Sequence, residues 1–291
     1  VWPAEGAISS AFLGLLGAHG FKWTASGGKV LMNSLRGPEE DPQRTIYRPY
    51  RHVGNAPDLA LFFRDDRLSD LIGFEYAKWN GHDAAVNFVS ELEAIASKAS
   101  SGETPLVSVI LDGENCWEFY AYNGYYFLDE LYRLLESHPV IHTTTYRSYL
   151  SEAGTGAAAL ERITAGSWVY GNFATWMGSA EKNHAWDLLC AAKRSFDLVI
   201  ASGRLDQEQT RAAYRQLAAC EASDWFWWVG DYNPSFAVTS FDQLYRADLS
   251  NLYRLLNLPV PADLAHPISH GSGHPEAGGV MRRAVAPAQG S

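Results

Sequence analysis

Two stretches, residues 59–63 (LALFF) and 106–111 (LVSVIL), are apolar almost without interruption, and each runs straight into acids: Arg64-Asp65-Asp66 after the first, Asp112-Gly113 after the second. A strand with one wet face alternates apolar and polar residues, whereas a strand covered on both faces does not. Such strands belong to sheets flanked by helices. The residues between them carry the helical period: 8–16, 84–99 (through Val86, Phe88, Val89, Leu92, Ile95 and Ala96) and 125–135. Residues 21–24 and 140–145 read as further short strands. The first half of the chain therefore predicts an α/β fold, a parallel sheet or barrel. In such folds the chemistry lies just beyond the C-terminal ends of the strands, where Asp65 and Asp112 fall.

The second half changes character. Residues 185–198, 206–219 and 241–256 have helical spacing with no strand between them, which predicts a helical domain. The stretch from about His266 onward is rich in Gly, Pro and Ala and is expected to be disordered. The expected division is 1–160, 161–260 and a tail at 261–291.

Composition narrows the partners. With 23 basic and 33 acidic residues the net charge is −10. Such a chain repels phosphate backbones, so nucleic acid and anionic membrane are poor partners and a neutral substrate fits better. Ten Trp, fifteen Tyr and thirteen Phe supply flat apolar faces, and the C–H faces of sugar rings stack on such surfaces. Cys116, Cys190 and Cys220 are too few and scattered for a disulfide framework or a thiolate metal site, and are expected as buried thiols. Other metal and phosphate patterns fail. Ser26-Gly27-Gly28-Lys29 lacks the rest of a phosphate loop. Gly154-Thr155-Gly156 lacks a preceding strand. His266, His270 and His274 are separated by Pro267, Gly271 and Gly273, which oppose the helix that their spacing would need. No metal and no cofactor is expected. No apolar stretch is long enough to span a membrane, and the expected compartment is the cytoplasm. The chain opens at Val1, inside what reads as a functional motif, so a longer natural chain is expected.

Three blocks concentrate chemistry. In Val1-Trp2-Pro3-Ala4-Glu5-Gly6-Ala7-Ile8-Ser9, Glu5 sits beside an aromatic and a glycine just ahead of a helix, whose positive end favours a carboxylate. In Ile110-Leu111-Asp112-Gly113-Glu114-Asn115-Cys116-Trp117-Glu118, Asp112 ends a buried run, Gly113 permits a sharp turn, and Trp117 offers a shield or a sugar platform. A partly desolvated Asp beside another carboxylate suits a general acid. In Glu221-Ala222-Ser223-Asp224-Trp225-Phe226-Trp227-Trp228-Val229-Gly230-Asp231, acids and indoles are too dense for plain core. Glu221 and Asp224, three apart, would share a helical face, with Trp225 and Trp228 as an adjacent stacking strip.

Together these blocks resemble glycoside hydrolase family 57, in the branch of α-amylases and amylopullulanases. Further stretches fit: Phe62-Phe63-Arg64-Asp65-Asp66 with Leu68-Ser69-Asp70-Leu71-Ile72-Gly73-Phe74, Gly166-Ser167-Trp168 with Gly171-Asn172-Phe173, and Asn183, Ala185, Trp186 and Asp187. The resemblance runs from Val1 to about Leu258. It implies an incomplete TIM-like (β/α) barrel followed by a helical bundle, and a chain lacking the barrel's N-terminal part, since the family's histidine-containing first strand is absent. It implies Glu5 as nucleophile and Asp112 as acid/base of a retaining hydrolase of α-1,4, and on some substrates α-1,6, glucosidic bonds. Trp2, Trp117, Glu221, Asp224, Trp225, Trp227 and Trp228 are the expected substrate contacts. A 4-α-glucanotransferase, a branching enzyme and a non-catalytic glucan-binding protein are the alternatives.

Overall fold

The computed structural model describes residues 1–35, 46–54, 58–100, 102–113, 116–152, 156–230 and 232–272. Expectations resting on Glu114, Asn115, Gly154, Thr155, Asp231, His274 and the tail at 273–291 lie outside those residues. The chain forms two compact units, Val1–Asn172 and Phe173–Ser291. The boundary falls later than the expected 160/161. The reason is a backbone bridge: Ile8 N–H donates to Gly166 O (2.9 Å) and Gly166 N–H returns to Ile8 O (3.1 Å), which keeps the 160s with the N-terminal turn.

In the first unit the order is α1 (Ser10–Ala18), β1 (Trp23–Gly27), α2 (Gly28–Ser34), β2 (Tyr50–His52), β3 (Ala60–Arg64), α3 (Asp66–Asp70), α4 (Gly81–Ser97), α5 (Tyr125–Glu136), α6 (Tyr146–Glu152) and β4 (Ala158–Leu160). The sheet runs β1-β3-β2-β4. β1 and β3 are parallel from Trp23↔Ala60 to Gly27↔Arg64, β2 and β4 are parallel, and β2 is antiparallel to β3. The sheet is thus mixed, where a parallel one was expected. β3 is buried at all five positions. Leu61 and Phe63 pack with Ile8, Leu13, Leu31 and Tyr50, while Ala60 and Phe62 pack with Ala25, Leu106, Ile110 and Tyr146. Cover on both faces is why its sequence lacks alternation. Each large side chain so buried contributes about 2 kcal/mol. A second cluster joins α4 to α5 through Phe88, Val89, Phe127 and Leu131.

Two expected strands are absent. Residues 106–111 join no ladder, because their polar groups go elsewhere. Leu106 N–H donates to Tyr47 O (2.8 Å), Ser108 O accepts from Asp65 N–H (2.8 Å), and Ile110 N–H donates to the Ser69 hydroxyl (3.3 Å). Residues 140–145 form no strand either, since the Val140 and Ile141 amides both donate to His138 Nδ1.

The second unit is helical as expected: α7 (Ala180–Ala201), α8 (Gln207–Cys220), α9 (Asp224–Trp228) and α10 (Ser235–Leu255). α8 opens with a capping box: Gln209 N–H donates to Asp206 Oδ1 (2.8 Å) and Asp206 N–H to Gln209 Oε1 (3.0 Å). Each bond satisfies a donor that a helix start leaves free. Residues 262–272, expected as tail, are ordered. Ile268 N–H donates to Asp242 Oδ1 (2.7 Å) and the Ser269 hydroxyl to Glu181 Oε2 (3.0 Å). Composition predicted disorder, and one buried carboxylate overrides it locally. Cys116 and Cys220 are buried thiols as expected, but Cys190 is exposed. No helix among the described residues is long and apolar enough to cross a membrane.

Among the described residues of the second unit, Lys182 is the one cation that is almost fully buried, at 1% exposure. Its Nζ donates to Thr175 O, to Phe226 O and to the Tyr232 hydroxyl. These are neutral acceptors, so burial pulls its pKa from 10.5 to about 8. A folded-state pKa below the unfolded one means that the unfolded chain binds more protons between the two values, so stability rises with pH there. Measured as the difference from Lys182→Met, wild-type stability should therefore climb as pH rises from about 8 towards 10.5. Urea unfolding across that range checks it. A flat difference contradicts it.

Candidate active site

Glu5 lies in a tight turn, Ala4–Gly6, with φ 57° and ψ 21°. A left-handed glutamate costs about 1–3 kcal/mol unless its surroundings fix it. Here they do. Trp168 N–H donates to Glu5 O (3.0 Å), Gly6 N–H to Pro3 O (2.9 Å), and the Ser26 hydroxyl of β1 to Gly6 O (2.5 Å). The half-buried carboxylate receives the Trp168 indole N–H at Oε2, 2.8 Å away. Ser9 caps α1 by accepting from Phe12 N–H, and Glu5 stands ahead of that cap.

Glycines set this corner. A Cβ on Gly27 would lie 2.6 Å from Trp168 Cα, so only glycine lets that backbone reach the end of β1. Gly6 has φ +58° and a Cβ there would lie 2.5 Å from the Trp2 ring. Trp2 in turn meets Trp168 edge to face at 5.2 Å.

Arg64, the last residue of β3, connects this corner to the Asp112 segment. Its guanidinium sits 5.3 Å from the centroid of the Trp168 ring. Nε donates to Ile110 O at 2.8 Å, two residues before Asp112. Asp66 takes Nη1 at 3.1 Å and Asp70 takes Nη2 at 2.9 Å. Glu5, Trp168, Arg64 and Ile110 thus form one continuous set of contacts at the C-terminal ends of β1 and β3. Asp112 is half-buried and close enough to Cys116 to help burial raise that thiol to about 11.

The other candidates meet partners of their own. Asp65, at a strand end where chemistry was expected, is a structural cap. It accepts from Leu68 N–H at 2.9 Å and from the Tyr47 hydroxyl at 2.7 Å. Asp66 accepts from the Gly28 and Lys29 amides at the start of α2. Burial pushes its pKa up, against the pull of Arg64. Trp117, half-buried, lies against Tyr120 and Phe127. Glu221 and Asp224 do not share a helix, for Glu221 caps the end of α8 and Asp224 begins α9. Both are exposed. Trp225, Trp227 and Trp228 are half-buried. Trp225 donates its indole N–H to Ala219 O (2.8 Å), Trp227 leans on Trp176, and Trp228 stacks on Phe241 at 4.9 Å. A cavity of about 680 Å³ lined by Lys29, Tyr47, Asp66, Arg67 and Glu91 adjoins Arg64 but does not include Glu5 or Asp112. No group of three or more potential metal ligands occurs among the described residues.

Sequence reasoning paired Glu5 with Asp112 but missed the Trp168 contact to Glu5 and the Arg64 contacts to Trp168 and Ile110. Both stood in blocks already singled out, and no spacing rule links positions 5, 64 and 168.

The family profile of glycosyl hydrolase family 57 matches residues 1–159. The chain belongs to glycosyl hydrolase family 57, a family of enzymes acting on glycosides. Among solved structures, a family 57 branching enzyme from Thermococcus kodakaraensis, in complex with glucose, superposes with a TM-score of 0.66 at 16% identity over 84% of this chain and 53% of that one. An α-amylase from Thermotoga maritima gives 0.62 at 14% identity over 87% and 58%. A 4-α-glucanotransferase from Thermococcus litoralis gives 0.56 at 15% over 86% and 41%. The chain spans roughly half the length of these structures, and at such identities the likeness is one of fold. Curated proteins gave no sequence match.

Proposed function

We propose that the protein is a retaining α-glucan hydrolase in which Glu5 is the nucleophile and Asp112 the general acid/base. The observation that carries the reading is the Glu5 carboxylate, held in a left-handed turn by the Trp168 indole and joined through Arg64 to the segment ending at Asp112. A residue kept in a costly backbone conformation by several converging bonds is a mark of functional sites. The parallel β1/β3 pair, with α2 packed beside it, supports reading the sheet as an arc of a (β/α) barrel with the pair at its mouth. In the first step Glu5 attacks the anomeric carbon while Asp112 protonates the departing glycosidic oxygen, leaving a glycosyl ester on Glu5. In the second, Asp112 takes a proton from water, and the water displaces Glu5 with net retention. Such a pair needs its carboxyl groups about 5–5.5 Å apart.

Trp2, which flanks Trp168, is the proposed aromatic contact nearest the scissile bond. Glu221, Asp224, Trp225, Trp227 and Trp228 are proposed as sugar contacts of the second unit, supported by the exposure of the two acids and the partial exposure of the three indoles. Solved relatives include branching and transferring enzymes, which differ from hydrolases in whether water or a sugar hydroxyl completes the second step. Maltoheptaose separates the cases. Digests of the full natural chain should contain only shorter oligosaccharides. Longer products would reassign the enzyme to transfer.

A further inference from the structure

The block Arg64-Asp65-Asp66 is fully explained by neither packing nor the two-carboxylate mechanism. Asp65 and Asp66 cap helices, but Arg64 caps nothing. Its side chain is only 7% exposed, and burying a guanidinium is costly unless its donors are met. They are met on three sides at once: Ile110 O on one, Asp66 and Asp70 on another, and the Trp168 ring across its face. Asp70 is half-exposed at 50%, so it steadies the fork from outside. Three flat contacts on a planar group fix both position and tilt, which a lysine ammonium on a flexible stem does not.

The geometry points to Arg64 as the positioning residue of the catalytic pair, setting Glu5 through Trp168 and Asp112 through the carbonyl of Ile110. This rests on the reading of Glu5 and Asp112 given above. Arg64 takes no part in bond making. It holds two supports in register. One is the indole that donates to Glu5 at 2.8 Å. The other is the backbone two residues before Asp112, whose amide at Ile110 is pinned separately by Ser69. A cation over the indole face also withdraws electron density from the ring and makes its N–H a better donor.

The test uses the full natural chain. Arg64→Lys keeps the charge and loses the fork. Because a displacement near 1 Å costs about 100-fold in rate, kcat should fall on that order while KM for maltoheptaose stays near the wild-type value. Asp70→Asn loosens the fork from its exposed side and should lower kcat in the same direction by less, which keeps the idea testable if Arg64→Lys folds poorly. Trp168→Phe should also lower kcat. The double variant Arg64→Lys/Trp168→Phe should lose less than the product of the two single losses, since both act along one line of contacts. Wild-type kcat in both Arg64→Lys and Asp70→Asn, or losses that multiply fully, would overturn the positioning role. Glu5→Gln, run alongside, separates the two claims: if it still turns over, the catalytic assignment fails first, whatever Arg64 does.

Discussion

Glu5→Gln should leave no measurable turnover of maltoheptaose, and Asp112→Asn should lower kcat by about 100- to 10,000-fold, the usual worth of a positioned general acid. The two losses should differ in kind. Without its nucleophile the enzyme forms no glycosyl ester on any substrate, however good the leaving group. Without its acid it still reacts with p-nitrophenyl α-maltosides, because that phenolate departs unprotonated. The first step should then be nearly normal and the second slow, so a burst of nitrophenol should appear with Asp112→Asn and not with Glu5→Gln. A burst from Glu5→Gln, or equal loss on both substrate types in Asp112→Asn, would reverse or remove these roles. The local structure explains why gentle changes suffice. Glu5 is fixed by bonds at its own carbonyl and carboxylate, so Gln keeps the shape and loses only the chemistry.

The largest expected effect on stability lies in the helical unit, at Asp242. This carboxylate is 2% exposed and pairs with Arg246 at 2.8 Å. Its other oxygen accepts from the amides of Ile268 and Ser269, and Arg246 reaches on to Leu264 O. Asp242→Ala removes the acceptor for two buried amides and leaves a nearly buried guanidinium unpaired. Breaking a buried pair from one side costs about 3–5 kcal/mol. The midpoint of urea unfolding should fall accordingly, and residues 262–272 should become open to proteases under native conditions. Asp242→Asn keeps the acceptor without the charge and should lie between. A loss below about 1 kcal/mol, the level of a surface pair, would contradict this account of how the C-terminal segment is held.

The sequence was most legible where one physical constraint acts on every residue. Residues 59–63 read as a doubly covered strand because all five positions of β3 are buried, and the long helices read from their period. Residues 106–111 have the same apolar signature without the same ladder, since apolarity reports burial and not which groups the amides meet. Here they meet Tyr47 and a serine hydroxyl. Glu221 and Asp224 were expected on one face, yet α8 ends at Cys220 and α9 begins at Asp224. A three-residue spacing is informative only inside one helix. Asp65 stood at a strand end with its carboxylate committed to capping α3, a use that position alone does not distinguish from catalysis. The partnership of Glu5, Trp168 and Arg64 joins residues more than a hundred positions apart and was readable only in three dimensions.

The central claim is that Glu5 becomes covalently glycosylated. The direct measurement uses 5-fluoro-α-glucosyl fluoride, whose good leaving group loads the enzyme while the ring fluorine slows release. After peptic digestion, mass spectrometry should place a single fluoroglucosyl group on the peptide that contains Glu5, with no label in Glu5→Gln. Label on another carboxylate, or full turnover of substrate with inverted product and no label at all, would contradict the account.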